Sequence, residues 1–344
     1  MEQARFVLGF RQGIDGFRVV AILLLMVGHS NWEWFLDDGG LVSVNLFFTL
    51  SGFLVTVTLM EEWRRDGSID VKSFYARRAI RLYPALIAVT VVGLAMGVSV
   101  LGAVLVLSYL SNFAAAMEFD IHPLTHTWSL AAQEQFVLLA PLTLLLVRGR
   151  WRIWAGGAIA LVMGIWIWRF SYWTSLEESL RWVYNGPGRI DAILIGCLLA
   201  MWFYHRGEWK PNRPIVVASW VFLLAYASGF WPPGWSYFTV GMVALQGATA
   251  VAVCWAVVQR GTWAANPFVR HTAKISYGLY VWHYPVFRAP AVQALPQPLE
   301  SMVGWGTAFF VASISYYLLE RPISRKFGGR FRRRTVQLPA ASLV

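Results

Sequence analysis

Arg18 and His29 stand eleven residues apart within one apolar run near the start of the chain. Eleven steps of 100° return to within about 20° of the same helix face and rise about 16 Å. Asp15 falls on that side as well. One helix face would thus carry a cation at its edge and an imidazole near mid-span. Imidazole is the side chain best suited to accept and return a proton near neutral pH. The other reading is a histidine bonded to a neighbouring helix, with Arg18 as a plain anchor. Arg78 and Arg81, three apart, share a helix face, and Arg77 is adjacent. Paired guanidinium groups can hold phosphate bidentately, or simply anchor a membrane edge. Glu134, in His126–Gln135, falls about 10 Å inside its helix, where a carboxylate needs a partner or a proton. Arg189 and Asp191 open a later run, as a structural pair or as catalytic groups. His283 follows Tyr277 and Tyr280 and precedes Tyr284-Pro285; it could catalyse or brace the proline kink. Asn45, Ser51 and Gly52 are residue types that commonly serve helix packing. His122, His205 and His271 fall in connections and receive no role.

The elements that would hold these groups are long apolar runs. Of 344 residues, 57% are hydrophobic, 16% aromatic and 14% charged, against about 25% charged in a typical soluble chain. That excludes a disordered chain, a collagen-like fibre and a small disulfide scaffold. Nineteen Trp fit rings lying along a membrane interface. Cys197 and Cys254 sit inside apolar runs and read as packing residues. A net charge of +11 could signal nucleic acid. Instead the basic residues come in short clusters between runs long enough to cross a bilayer, so no nucleic-acid partner is expected.

These runs cover about 17–36, 41–60, 82–99, 101–117, 127–147, 152–170, 188–205, 214–230, 237–258, 275–294 and 301–319. All but Arg169, Arg181, Arg189 and Arg288 of the 29 Lys and Arg lie on one side if 101–117 does not cross. By the positive-inside rule that side is cytoplasmic. The expected fold is an all-α polytopic membrane bundle of about ten transmembrane helices, with 101–117 re-entrant or short and both termini cytoplasmic. Residues 1–320 would form the membrane domain and 321–344 a basic cytoplasmic tail. The core Val19–Val27 lacks a following small-x-small site, which argues against a cleaved signal peptide.

In order along the chain come Asp15-Gly-Phe-Arg18 with His29, Val44-Asn-Leu-Phe-Phe-Thr-Leu-Ser-Gly-Phe53, and Arg78-x-x-Arg81 before Tyr83-Pro84. Asn112, His126-Thr-Trp-Ser-Leu130, Gly188-Arg-Ile-Asp191, Ile275-Ser-Tyr-Gly-Leu-Tyr-Val-Trp-His-Tyr-Pro285 and Glu320-Arg-Pro322 follow. This succession resembles the membrane acyltransferase-3 family of O-acyltransferases over nearly the whole chain. Asn45 stands where that family usually has Asp, and Gln133 stands at its usual glutamate, with Glu134 adjacent.

The resemblance implies transfer of an acyl group, commonly acetyl, from cytoplasmic acyl-CoA to a hydroxyl. The acceptor it implies is a sugar of a cell-surface or exported glycan, and the setting a bacterial plasma membrane. Under that reading Arg18, Arg77, Arg78 and Arg81 hold the phosphates of acetyl-CoA. His29 is general base or transient acyl carrier, Asn45, Ser51 and His283 assist the developing oxyanion, and Glu134 is a catalytic carboxylate. His126, Arg189 and Asp191 lie toward the acceptor. No metal is expected. Tailoring of a secondary metabolite such as a macrolide is a second reading. A transporter or flippase is a third, whose marks would be inverted repeats and broken midplane helices.

Overall fold

A computed structural model describes residues 9, 11–30, 38–171, 182, 187–259 and 266–331. Arg5, Arg181, Arg260 and residues 332–344, whose basic residues enter the charge argument, lie outside the described residues. Among the described residues all regular structure is helical: α1 (Gln12–His29), α2 (Gly39–Asp66), α3 (Val71–Ala95), α4 (Val100–Leu107), α5 (Ser111–Ala116), α6 (Trp128–Leu146) and α7 (Trp151–Ser171). The second half contains α8 (Ile190–Arg206), α9 (Arg213–Ala227), α10 (Met242–Val258), α11 (Pro267–Phe287), α12 (Pro290–Gln293), α13 (Leu299–Ile314) and α14 (Arg321–Gly328).

Among the described residues, seven helices are long and apolar enough to cross a membrane on length and composition alone. The three other expected crossings correspond to α8 and α9, which have 17 and 15 residues, and to α11, whose polar content sets it apart. The apolar stretch 101–117 breaks at Ser108–Leu110 into α4 and α5, of eight and six residues. Neither is long enough to span hydrocarbon, in keeping with a short or re-entrant segment. The last helix runs past the expected domain boundary: a π-helical turn, Ser315–Glu320, joins α13 to α14.

Local chemistry explains the helix starts. Asp70, Ser99, Asn212 and Asn266 each accept a backbone N–H from the first turn of the helix that follows, removing one of the unpaired donors there. Proline at the start of α9 and α11 fixes the backbone where no N–H is needed.

The connections with basic clusters gather at one end of the bundle. Arg11 pairs with Glu208 at 2.8 Å, and Arg77 donates to the Phe331 carbonyl at 3.1 Å. The Trp151 and His205 rings stack with centroids 3.7 Å apart. At the opposite end Ser301 donates to the Ser30 carbonyl at 2.9 Å, and Asp38 N–H bonds Ala227 O at 2.9 Å. The basic end is the one that the positive-inside rule expects on the cytoplasmic side.

The tightest seam lies between α2 and α8. A Cβ at Gly52 would sit 2.0 Å from the Ile193 carbonyl oxygen, and one at Gly196 would sit 2.0 Å from that of Thr49. Only glycine lets the two backbones touch in this way, a packing device typical of membrane helices.

Candidate active site

A cavity of about 530 Å³ opens among α1, α2, α3, α6 and α11. Its wall carries Arg18, Arg77, Arg78 and Arg81, together with Ser51, Ser129, Gln133 and Tyr280. Apolar side chains of α2, including Phe47, Phe48 and Leu54, line the rest.

The four arginines are held differently. Arg78 makes a two-point ion pair with Glu134, Nε to one oxygen and Nη2 to the other. Arg77 lies 3.9 Å from Glu62 and Arg18 lies 3.8 Å from Asp15. Arg81 makes no hydrogen bond or ion pair among the described residues and is exposed to the cavity. Its charge repels those of Arg78 and Arg18. A wall of mutually repelling guanidinium groups is stabilised by an anion that contacts several of them.

Along α1 the cavity extends from Arg18 to Leu25, about 10 Å of helix rise. His29 is one turn further on and is the last residue of the helix. By helix rise it is about 25 Å from Gln12, at the end of α1 away from Arg18. The helix occupies 12–29, where apolarity alone suggested 17–36. Gly28 contributes to this end, because a Cβ there would lie 2.6 Å from Gly40 N at the start of α2.

His29 Nδ1 lies 3.1 Å from His283 Nε2. His283 is fully buried on α11, and its Nδ1 lies 2.8 Å from the Tyr280 carbonyl and 3.0 Å from that of Leu279. His126 stacks on Tyr284 with centroids 5.2 Å apart and meets the His283 ring edge at 5.3 Å. Tyr284 also packs edge-on against His29, and the Arg288 guanidinium lies over the Tyr284 ring, 5.0 Å from its centroid. Tyr280 closes the near side: its hydroxyl donates to His126 O at 2.8 Å and accepts from Leu130 N–H at 3.2 Å.

The remaining candidates lie elsewhere. Asn45 is fully buried and donates back to Leu41 O at 3.1 Å. Ser51 lines the cavity, nearer the arginines along α2 than the glycines that meet α1. Glu134 is spent on Arg78, while Gln133 faces the cavity. Arg189 and Asp191 are wholly buried and line no part of the cavity. Asp191 accepts from Arg169 at 2.6 Å, Gln246 at 2.5 Å and Trp166 at 3.2 Å. That set of partners makes it a brace between α7, α8 and α10. Arg189 packs its guanidinium 5.9 Å from the Trp128 ring. Asn112 and Gln135 exchange two amide hydrogen bonds, of 3.1 and 2.9 Å, which tie α5 to α6.

Sequence reasoning missed Arg169, Gln246, Tyr280 and Tyr284 as members of these clusters. One signal was present. Arg169, Arg189 and Arg288 are among the cations that the sidedness argument could not place, and all three are held by aromatic or polar partners near the outer end.

A helical bundle of membrane-length elements, enclosing a cationic cavity that ends one turn short of an imidazole pair, defines a multi-pass membrane protein with an internal site. The chain belongs to the acyltransferase-3 family, whose model, described as an acyltransferase domain, matches residues 11–321. It is similar to the peptidoglycan O-acetyltransferase OatA of Listeria monocytogenes, at 28% identity over 91% of this chain and 55% of that protein. It is likewise similar to the O-acetyltransferase OatA of Staphylococcus aureus, at 28% identity over 91% of this chain and 57% of that protein. The chain thus spans little more than half the length of these relatives. No solved structure matches it.

Proposed function

We propose that this chain is an O-acyltransferase of the bacterial plasma membrane that moves an acetyl group from cytoplasmic acetyl-CoA to a hydroxyl of a cell-wall or other surface glycan. The observation that carries this reading is the cavity itself. It places Arg18, Arg77, Arg78 and Arg81 on one wall and reaches, along α1, to one turn from His29.

The donor's pyrophosphate and 3′-phosphate match the repelling guanidinium groups in charge and in bidentate geometry. Arg81 and the edge of Arg78 not used by Glu134 would take them. The pantetheine arm would run against the apolar α2 wall, bringing the thioester toward Leu25 and Tyr280. His29 would accept the hydroxyl proton as that oxygen attacks the thioester carbonyl, or carry the acyl group transiently. Its place at the outer end of α1 suits an acceptor arriving from the far side of the membrane. Relatives named as O-acetyltransferases, one of them for peptidoglycan, support a glycan acceptor. Ser51 would act from the α2 wall of the cavity, and Asn45, buried behind that wall, would brace it. His126, Arg189 and Asp191 would shape the acceptor side mainly by holding other groups in place.

The test uses protein in nanodiscs with radiolabelled acetyl-CoA. Label should pass to water or to a glycan fragment with wild-type protein and not with His29→Ala. Absence of any thioester cleavage by the wild type, or full activity of His29→Ala, would contradict the proposal.

A further inference from the structure

His29 has two ring nitrogens, and only one of them can serve as base in a given tautomer. The partners of His283 decide which. Both oxygens facing His283 Nδ1, those of Leu279 and Tyr280, are backbone carbonyls. A carbonyl oxygen only accepts, so Nδ1 carries the hydrogen. A neutral imidazole has one N–H, which leaves a lone pair on His283 Nε2. That nitrogen faces His29 Nδ1 at 3.1 Å, and the contact is a hydrogen bond only if His29 donates. His29 Nε2 is then the unprotonated nitrogen.

The neutral state of His283 follows from its surroundings. Its ring neighbours are His29, His126, Tyr280, Tyr284 and Phe287. No carboxylate among the described residues pairs with either ring, and Arg288 sits one ring away over Tyr284. An imidazolium buried there would lack a counter-charge. Space agrees with the assignment. A Cβ added at Gly40 would come within 3.5 Å of His29 Nε2, so the glycine keeps the approach to that nitrogen clear.

We infer that His283 is a positioning residue which, by accepting a hydrogen bond from His29 Nδ1, fixes the tautomer in which His29 Nε2 is the reactive nitrogen. This rests on the acyl-transfer reading above. The acceptor's O–H bond breaks and its proton passes to Nε2 while the oxygen bonds to the thioester carbonyl carbon. The C–S bond then breaks, the sulfur leaves with its electron pair, and the proton on Nε2 passes to it. The products are the ester and the CoA thiol, and His29 returns to its starting tautomer. The transient charge on His29 is steadied by the same Nδ1–H bond to His283.

Two measurements test this on the full chain in nanodiscs. Nitrogen-15 spectra of histidine-labelled wild-type protein, with the His29 signals identified by their loss in His29→Gln, should show Nδ1 protonated and Nε2 bare. A protonated Nε2 overturns the inference, and that reading depends on no variant of position 283. In kinetics, His283→Phe should lower kcat by about 10²-fold or more and leave KM for acetyl-CoA within about twofold. His283→Gln, whose amide oxygen can stand where Nε2 stood, should recover at least tenfold of that loss. Wild-type kcat in His283→Phe, or no recovery in His283→Gln, counts against the inference. A wild-type protein that cleaves no acetyl-CoA counts instead against the acyl-transfer reading, and the spectra still decide the tautomer.

Discussion

Arg78 on α3 and Glu134 on α6 meet edge to edge, with both carboxylate oxygens engaged by the same guanidinium. The pair fixes the orientation of a cation on the cavity wall, because two parallel bonds define a plane where one would define only a distance. Gln133 adds a hydrogen bond of 3.2 Å to the same carboxylate. Glu134 is therefore tied to the arginine wall of the cavity rather than to the imidazole pair.

Replacing Glu134 by Gln separates these roles. The side chain of Arg78 is 25% exposed and that of Glu134 3%, so loss of the pair should cost about 1–3 kcal/mol, less than a fully buried pair would. KM for acetyl-CoA should rise clearly more than kcat falls. Steady-state kinetics check this; an unchanged KM with kcat down by more than about 10³-fold would place Glu134 in the chemistry instead.

Arg81 should be the most sensitive of the four arginines to donor phosphates, since it has no competing ion pair among the described residues. A hydrogen bond to a charged group contributes about 1.5–3 kcal/mol, so Arg81→Ala should weaken acetyl-CoA binding about 10- to 100-fold. Calorimetry with acetyl-CoA and with a desphospho analogue reads the effect. The variant should discriminate less between the two donors than the wild type does.

Asp191→Asn should act on stability. It leaves Arg169 buried beside a neutral amide, and breaking a buried pair costs about 3–5 kcal/mol. Thermal unfolding in detergent should shift down by several degrees, while protein that remains folded keeps the wild-type KM for acceptor. A raised acceptor KM without loss of stability would instead give Asp191 a direct part in acceptor binding.

Gly52→Val and Gly196→Val should each force α2 and α8 apart, because even a Cβ at either position overlaps a backbone carbonyl of the other helix. The expected outcome is loss of monodisperse protein on size exclusion. Gly156→Val on α7, where a Cβ meets nothing within 4 Å, should leave the elution unchanged.

The helices were readable because lipid demands length and apolarity, two properties written locally in the chain. The break at Ser108–Leu110 was readable indirectly, since a crossing there would have put Arg148 and the C-terminal arginines on opposite sides. Residue type likewise marked His29, His283, Arg78 and Arg81, as ionisable groups inside a membrane domain carry a cost that calls for a reason. What could not be read was which faces meet. His29 and His283 are 254 positions apart, and no periodicity encodes that contact. The same holds for Arg169 and Asp191, and for Arg78 and Glu134.

The central claim is that donor enters from the basic end of the bundle and reacts at the outer end of α1. Sealed vesicles of known orientation, with a glycan acceptor enclosed or outside, test it directly. With labelled acetyl-CoA supplied only to the cytoplasmic face, acetyl-glycan should form only on the opposite face, and His29→Ala should abolish it. Product formed when acetyl-CoA is supplied only to the outer face, or product that accumulates on the donor's own side, would contradict the account.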